Sequence, residues 1–280
     1  MFQFRLRPVD EIEPWGPPPS LHYFGLTDGC YWIQVGRDEL FRYTPEVLAC
    51  WKAEAAEQGK TLETFGEPYD AYQVMRLEAD LADVLPHALE PVPPDIAAHI
   101  DTVHEWRRTT GASPVPEAVL RAFAAKDGRG FSDAEEMLFA ATGWWGDRQM
   151  PVMHLRFSPV IHIWSQGEEV EVRWDNRSHR YKGLPVWTAE FGAYKLPRAA
   201  FLEAVRDFRQ RFVEQMGERV QSICRNWTRP NIAIDRDQLR QEQDEMERTL
   251  LPSSSFATAE TDWDAVRRVV KRISEDDTGA

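Results

Sequence analysis

From Pro197 onward seven apolar side chains, Phe201, Val205, Phe208, Phe212, Met216, Val220 and Ile223, recur at steps of three and four. An α-helix turns every ~3.6 residues, so this spacing sets all seven on one stripe, which is stable only when buried against another element. The helix is expected to run until "NWTRPN" breaks it. Other segments have a different period. In "EEVEVRWD", Val170, Val172 and Trp174 alternate with Glu169, Glu171, Arg173 and Asp175, which predicts an antiparallel strand with one wet face. Its partner is "VIHIW", with Ser165, Gln166 and Gly167 as the turn.

The remaining elements follow from local chemistry. "FQFRLRP" reads as a strand stopped by Pro8, and "PWGPPPS" as a stiff connector. Residues 21 to 43 hold two short strands joined at Gly36, Arg37 and Asp38. Thr44, Pro45 and Gly59 are an N-cap, a first helical position and a residue just past a C-terminus, so a helix is predicted between them. Further helices are predicted from about Pro68 to Leu85, from Pro94 with Ile96, Ile100 and Val103 on one face, and around Val119, Leu120 and Phe123. Ser132 and Glu135 form a capping box for a helix that reaches Trp144 and Trp145. "VWTAEFG" is a strand candidate. Leu239, Gln243, Met246 and Leu250 mark a helix, and Trp263, Val266, Val270 and Ile273 mark a last one capped by Thr261. Strands at the start and middle, helices elsewhere and no βαβ alternation give an α+β fold around an antiparallel sheet. Residues 1–230 are expected to form a single α+β domain. Residues 231–280 would add C-terminal helices, joined by a flexible linker near 252–260.

Composition bounds the functional classes. With 42 % hydrophobic residues and eleven Trp in 280 residues, the chain can bury a real core. Acidic residues outnumber basic ones by 46 to 33, a formal charge of −13, so nucleic-acid binding is not expected and a basic partner is. Cys30, Cys50 and Cys224 form no CxxC pair and read as reduced thiols of a cytoplasmic protein. No stretch approaches the ~20 apolar residues of a membrane span, and "MFQFRLRPVD" shows no signal peptide.

Motifs for catalysis are missing. The chain contains no GxxxxGK[ST], GxGxxG or GxSxG. His99 and His104 are five apart and so lie on different sides of a helix, and no metal or cofactor site is expected. Asp101 and His104 share a face, which a solvated ion pair explains. His162 lies on the predicted strand "VIHIW" and reads as a sheet-face histidine. His154 and His179 have no carboxylate held near them in sequence. In "WDNR", Asp175 and Asn176 are residue types that end strands by bonding local backbone groups.

Charge is localised instead. Residues 46 to 90 hold ten carboxylates against Lys52, Lys60 and Arg76, a net of −7 out of −13. Glu63, Glu67, Asp70, Glu78, Asp80 and Asp83, with Tyr69 and Tyr72 interleaved, are the candidate partner-binding face, and Asp175 is a further candidate contact. A smaller acidic run, "EQDEME", occupies residues 242 to 247.

Three segments carry a family resemblance: "RPVDEIEPWG" with "LHYFGLTDGCYWIQVG"; "RLEADLADVLPHALEPVP"; and "WDNR" with "GLPVWTAEFGAY" and "LPRAAFLEAVRDFRQRFVEQMGERV". They resemble an uncharacterised bacterial family with an LHWFGLTDGxYWI-like opening and a WDNR…PVW block, some of whose members are similar to immunity proteins of polymorphic (Rhs-type) toxins. The resemblance implies a non-enzymatic protein that neutralises a basic toxin domain in a one-to-one complex. The competing expectation is a hydrolase, acting on a toxin's modification or on an unrelated substrate through Asp175, His179 or His162.

Overall fold

The computed structural model describes residues 1–62, 65–101, 103–104, 143–251 and 256–268. The fold is α+β with antiparallel sheets drawn from the N-terminal and central strands. In the first sheet β2 (Asp28–Val35) is central and pairs with β1 (Phe2–Leu6), β3 (Asp38–Leu40) and β4 (Ala71–Gln73). The β2–β3 hairpin turns at Gly36, whose φ of +57° is the left-handed conformation that glycine adopts without steric cost. In the second sheet β6 (Glu169–Asp175) lies between β5 (Ile161–Gln166) and β9 (Phe191–Pro197). A short ribbon, β7 (Arg180–Tyr181) with β8 (Leu184–Pro185), projects between β6 and β9 in sequence.

Several helices form where local chemistry placed them. α2 (Pro45–Glu57) is capped by Thr44, whose Oγ1 accepts the Val47 N–H at 3.3 Å, and Gly59 follows its end with φ +67°. α4 (Pro94–Ala97) begins at Pro94, and Ile96, Ile100 and Val103 are all buried. α5 (Arg198–Arg225) buries every residue of its apolar stripe. The stripe lies across β1, with Phe201 edge-on to Phe2 at 6.0 Å and Phe208 edge-on to Phe4 at 5.7 Å. α6 (Arg236–Leu250) runs along α5, where Gln243 Nε2 donates to the Val213 carbonyl at 3.1 Å. Leu239 joins the main core. Among the described residues no helix is long and apolar enough to cross a membrane.

Ahead of β2, His22 to Leu26 is a helical turn, α1 (Tyr23–Leu26), because His22 Nδ1 accepts the Gly25 N–H and caps it. Three local expectations differ. The helix expected from Pro68 is α3 (Met75–Leu89), because Ala71–Gln73 is drawn into the sheet as β4 along the open edge of β2. Pro86 does not stop α3. The carbonyl that its missing N–H leaves unpaired belongs to Ala82, on the exposed side of the helix. In "VWTAEFG" the strand starts only at Phe191. Val186 and Trp187 are claimed earlier, Trp187 by stacking on Tyr43 at 4.6 Å and Val186 by accepting the Thr44 N–H. The last helix takes Asp262 as its cap, since its Oδ1 accepts the Ala265 N–H, while Thr261 is engaged elsewhere.

The main apolar core lies between both sheets, α3 and α5. A second core of Val92, Ile96, Ile100, Val103, Trp144, Trp145, Trp164 and Val266 covers the β5 end of the other face of the second sheet. That face is therefore wet only toward β6 and β9. The helices expected around Val119 and from Ser132 to Ala141, the segment 252–255 and the tail from Val269 lie outside the described residues.

Candidate functional site

The acidic segment does not fold into one acidic face. Of its carboxylates among the described residues only Glu46, Glu57 and Asp83 are exposed. Glu54 holds Lys182 Nζ and the Tyr181 hydroxyl, each at 2.6 Å, and the Lys182 contact above all brings its carboxyl down to about 2. Glu67 pairs with Lys52 at 2.7 Å. Asp70 accepts the Arg156 backbone N–H at 2.9 Å. Tyr69 stacks on Trp32 at 4.4 Å and donates to Glu39, and Tyr72 packs against the ring of His154 at 4.5 Å. Glu63 lies outside the described residues.

Glu78 and Asp80 point inward, which removes them from the expected partner-binding face. α3 is wedged between packed layers, so the inward arc includes Leu77, Glu78, Asp80 and Leu81 and is too broad for an amphipathic pattern to display. Glu78 meets Arg209 of α5 through two hydrogen bonds, at 2.6 and 3.1 Å. Burial pushes its carboxyl up, and Arg209 opposes the shift. Glu90 is also buried, and takes hydrogen bonds from Arg148, the Thr261 N–H and hydroxyl, and Trp263 Nε1. It is the node that fastens the C-terminal segment to the body.

The densest chemical grouping was not legible in sequence, because its members are far apart. Asp80 is 0 % exposed, and His154 Nε2 lies 3.8 Å from its Oδ2. Arg76 Nε is 3.2 Å from its Oδ1. The Tyr31 hydroxyl bonds to the same His154 nitrogen. Burial raises the Asp80 carboxyl to about 7, with Arg76 opposing. Burial lowers His154 to about 4, helped by Arg76. At neutral pH the imidazole is therefore uncharged while Asp80 is near its midpoint. Among the described residues His154 Nδ1 and both Asp80 oxygens are buried with no partner in hydrogen-bond geometry. The order tyrosine, histidine, carboxylate is one that relays protons, but here it is closed over by Tyr72 and the core.

"WDNR" is a clasp at the strand end. Asn176 Oδ1 accepts the Val160 N–H at 2.8 Å and its Nδ2 donates to the Ala189 carbonyl at 3.1 Å. Arg177 grips the buried carboxylate of Asp175 at 2.8 and 2.6 Å and lies over the ring of Phe191. His104 Nε2 also lies 3.5 Å from Asp175. Arg177 chiefly brings Asp175 down to about 2. His162 is buried and stacks on Trp145 at 4.2 Å, a sheet-face histidine as its position implied. Asp101 pairs with Arg173 of β6 rather than with His104.

Open concave surface lies elsewhere, along α6. A concavity of about 340 Å³ lies between α1, residues 233–235 and the start of α6, and next to it, sharing Asp235 and Gln238, a shallower hollow of about 620 Å³ on the outer face of α6 is lined by Asp235, Asp237, Glu242 and Glu245. Among the described residues no group of three or more His, Cys, Asp or Glu side chains is arranged to hold a metal ion.

No curated protein and no solved structure matches the chain. A family description does match, over residues 1–269, and the protein belongs to that family of unknown function, DUF5984.

Proposed function

We propose that this protein is an immunity protein that binds and neutralises a basic bacterial toxin domain in a stoichiometric complex, and is not an enzyme. The observation that carries the choice is the state of Asp175, the carboxylate a hydrolytic reading most needs. It is buried, saturated by the Arg177 guanidinium and held at about 2, so it has no proton to give and no free lone pair aimed at solvent. The companion histidine His162 is stacked beneath Trp145. A net charge of −13 supports a basic partner through long-range steering.

The test is a titration of the toxic activity of the neighbouring gene's product. Binding predicts protection that ends sharply near one equivalent. Protection at a small fraction of one equivalent means turnover and overturns the reading.

A further inference from the structure

We propose that the concavity between α1 and α6, as the upper half, and the adjoining acidic face of α6, as the lower half, dock an extended, basic segment of the partner protein, with an apolar side chain in the upper half and an arginine or lysine against the lower half. This rests on the binding reading above and deepens it by naming the surface and the chemistry of the contact.

The upper half is apolar at its floor. Leu21, Tyr23 and Leu239 are buried there, and Ile234 contributes a wall. The floor is fixed, because the Tyr23 hydroxyl donates to Gln243 Oε1 at 2.7 Å and the Leu21 N–H donates to the Ala233 carbonyl at 3.0 Å. A preorganised concavity of about 340 Å³ loses little freedom when a side chain enters it. Trp15 is a neighbour of the lining residues Ser20 and His22. Its backbone pairs with Ser20, its ring meets His22 edge-on at 4.7 Å, and 43 % of it remains exposed. An indole anchored by its backbone, with part of its ring open to solvent, suits both apolar contact and a guanidinium.

The lower half supplies the sign of charge. Asp235, Asp237, Glu242 and Glu245 line it, and among the described residues no basic one does. Asp237 and Glu245 each touch an arginine one turn on, Arg240 and Arg248, in exposed pairs of the kind that contribute little in water. Glu242 accepts from Gln238 at 2.8 Å and raises the phenol of Tyr23 in the upper half, after burial as the larger cause. The carboxylates thus face a space that a cation fills at small cost. By contrast, the acids of residues 46–90 are mostly spent on internal partners, such as Lys182, Lys52, Arg209 and Arg148.

The probe is a fluorescein-labelled peptide of alternating arginine and leucine, followed by polarisation with the full chain. Its controls replace arginine by glutamate in one case and leucine by serine in the other. The expected result is saturable binding of the arginine–leucine peptide alone. That binding weakens about tenfold or more in the exposed-surface variant Asp237→Asn with Glu242→Gln and Glu245→Gln, and also in Trp15→Ala. The matching neutral variant elsewhere, Glu46→Gln with Glu57→Gln and Asp83→Asn, stays within about twofold. Absence of binding, equal binding of the glutamate or serine peptide, or equal loss in both neutral variants overturns the proposal. Toxin titration reads the immunity function separately: a sharp endpoint that survives loss of the groove carboxylates rejects the groove and keeps the function.

Discussion

Arg209 on α5 and Glu78 on α3 meet in the interior through a two-point ion pair, with both side chains less than a tenth exposed. The pair ties the longest helix among the described residues to α3, which packs against β4 of one sheet and β5 of the other. Glu78→Ala leaves the Arg209 charge buried without its carboxylate and is expected to cost about 3–5 kcal/mol in chemical denaturation. Joint replacement, Glu78→Leu with Arg209→Met, is expected to recover most of that loss. A Glu78→Lys variant sets two cations together in the core, so loss of protection on that change reports unfolding and not a lost docking contact.

Asp80 and His154 predict an asymmetric pH profile. The folded Asp80 carboxyl lies near 7 against an ordinary 3.8, so its contribution is full below 3.8 and is lost as pH rises through 7. The folded His154 lies near 4 against 6.5, so its contribution is full above 6.5 and is lost as pH falls through 4. Between about 4 and 6.5 the two slopes oppose each other, leaving a decline above 6.5 that belongs to Asp80. Of the charges around the pair, Arg76 opposes the rise of Asp80 and adds to the fall of His154, while Asp83 raises Asp80 further; Tyr31 and Asp70 complete the surroundings. Asp80→Asn is expected to flatten the decline between 6.5 and about pH 8, measured as the denaturant midpoint at each pH. An unchanged slope there would sink the assignment.

Asn176 closes the end of the second sheet with one bond in each direction. Asn176→Ala leaves the Val160 N–H and the Ala189 carbonyl without partners, and a loss of about 2–4 kcal/mol is expected from thermal or chemical unfolding. Arg177→Ala, at the partly exposed end of the same clasp, should cost less.

Gly192 faces the ring of Trp174 across β6 and β9, and a Cβ there would overlap the indole. The backbone is ordinary strand, so the constraint is space and not φ. Gly192→Ala is expected to destabilise by about 1–3 kcal/mol and to shift the Trp174 fluorescence, with a smaller effect when paired with Trp174→Phe.

The elements that could be read in advance are those with chemistry internal to a few residues. The α5 stripe, the Thr44–Pro45 cap and the β5–β6 hairpin with Gly167 at its turn all depend on neighbours within about four positions. Asn176 was readable as a strand end by residue type, but its partners, the Val160 N–H and the Ala189 carbonyl, lie 16 and 13 positions away and only the fold supplies them. What failed was charge. A run of carboxylates between Glu46 and Glu90 gives a net charge, but exposure depends on what packs over each one, and α3 is covered on most of its circumference. The start of that helix failed likewise, because Ala71–Gln73 pairs with β2 and a strand edge more than forty residues away in sequence outweighs local helix preference. Sequence alone determined the fold class, the long stripe and the absence of catalytic motifs. Only tertiary structure decided that Tyr31, Asp80 and His154 converge, that Glu78 is buried against Arg209, and that the open acidic surface lies along α6. The physical reason is range: periodicity and capping act over one or two turns, whereas solvation of a charge is set by distant segments that either cover it or leave it to water.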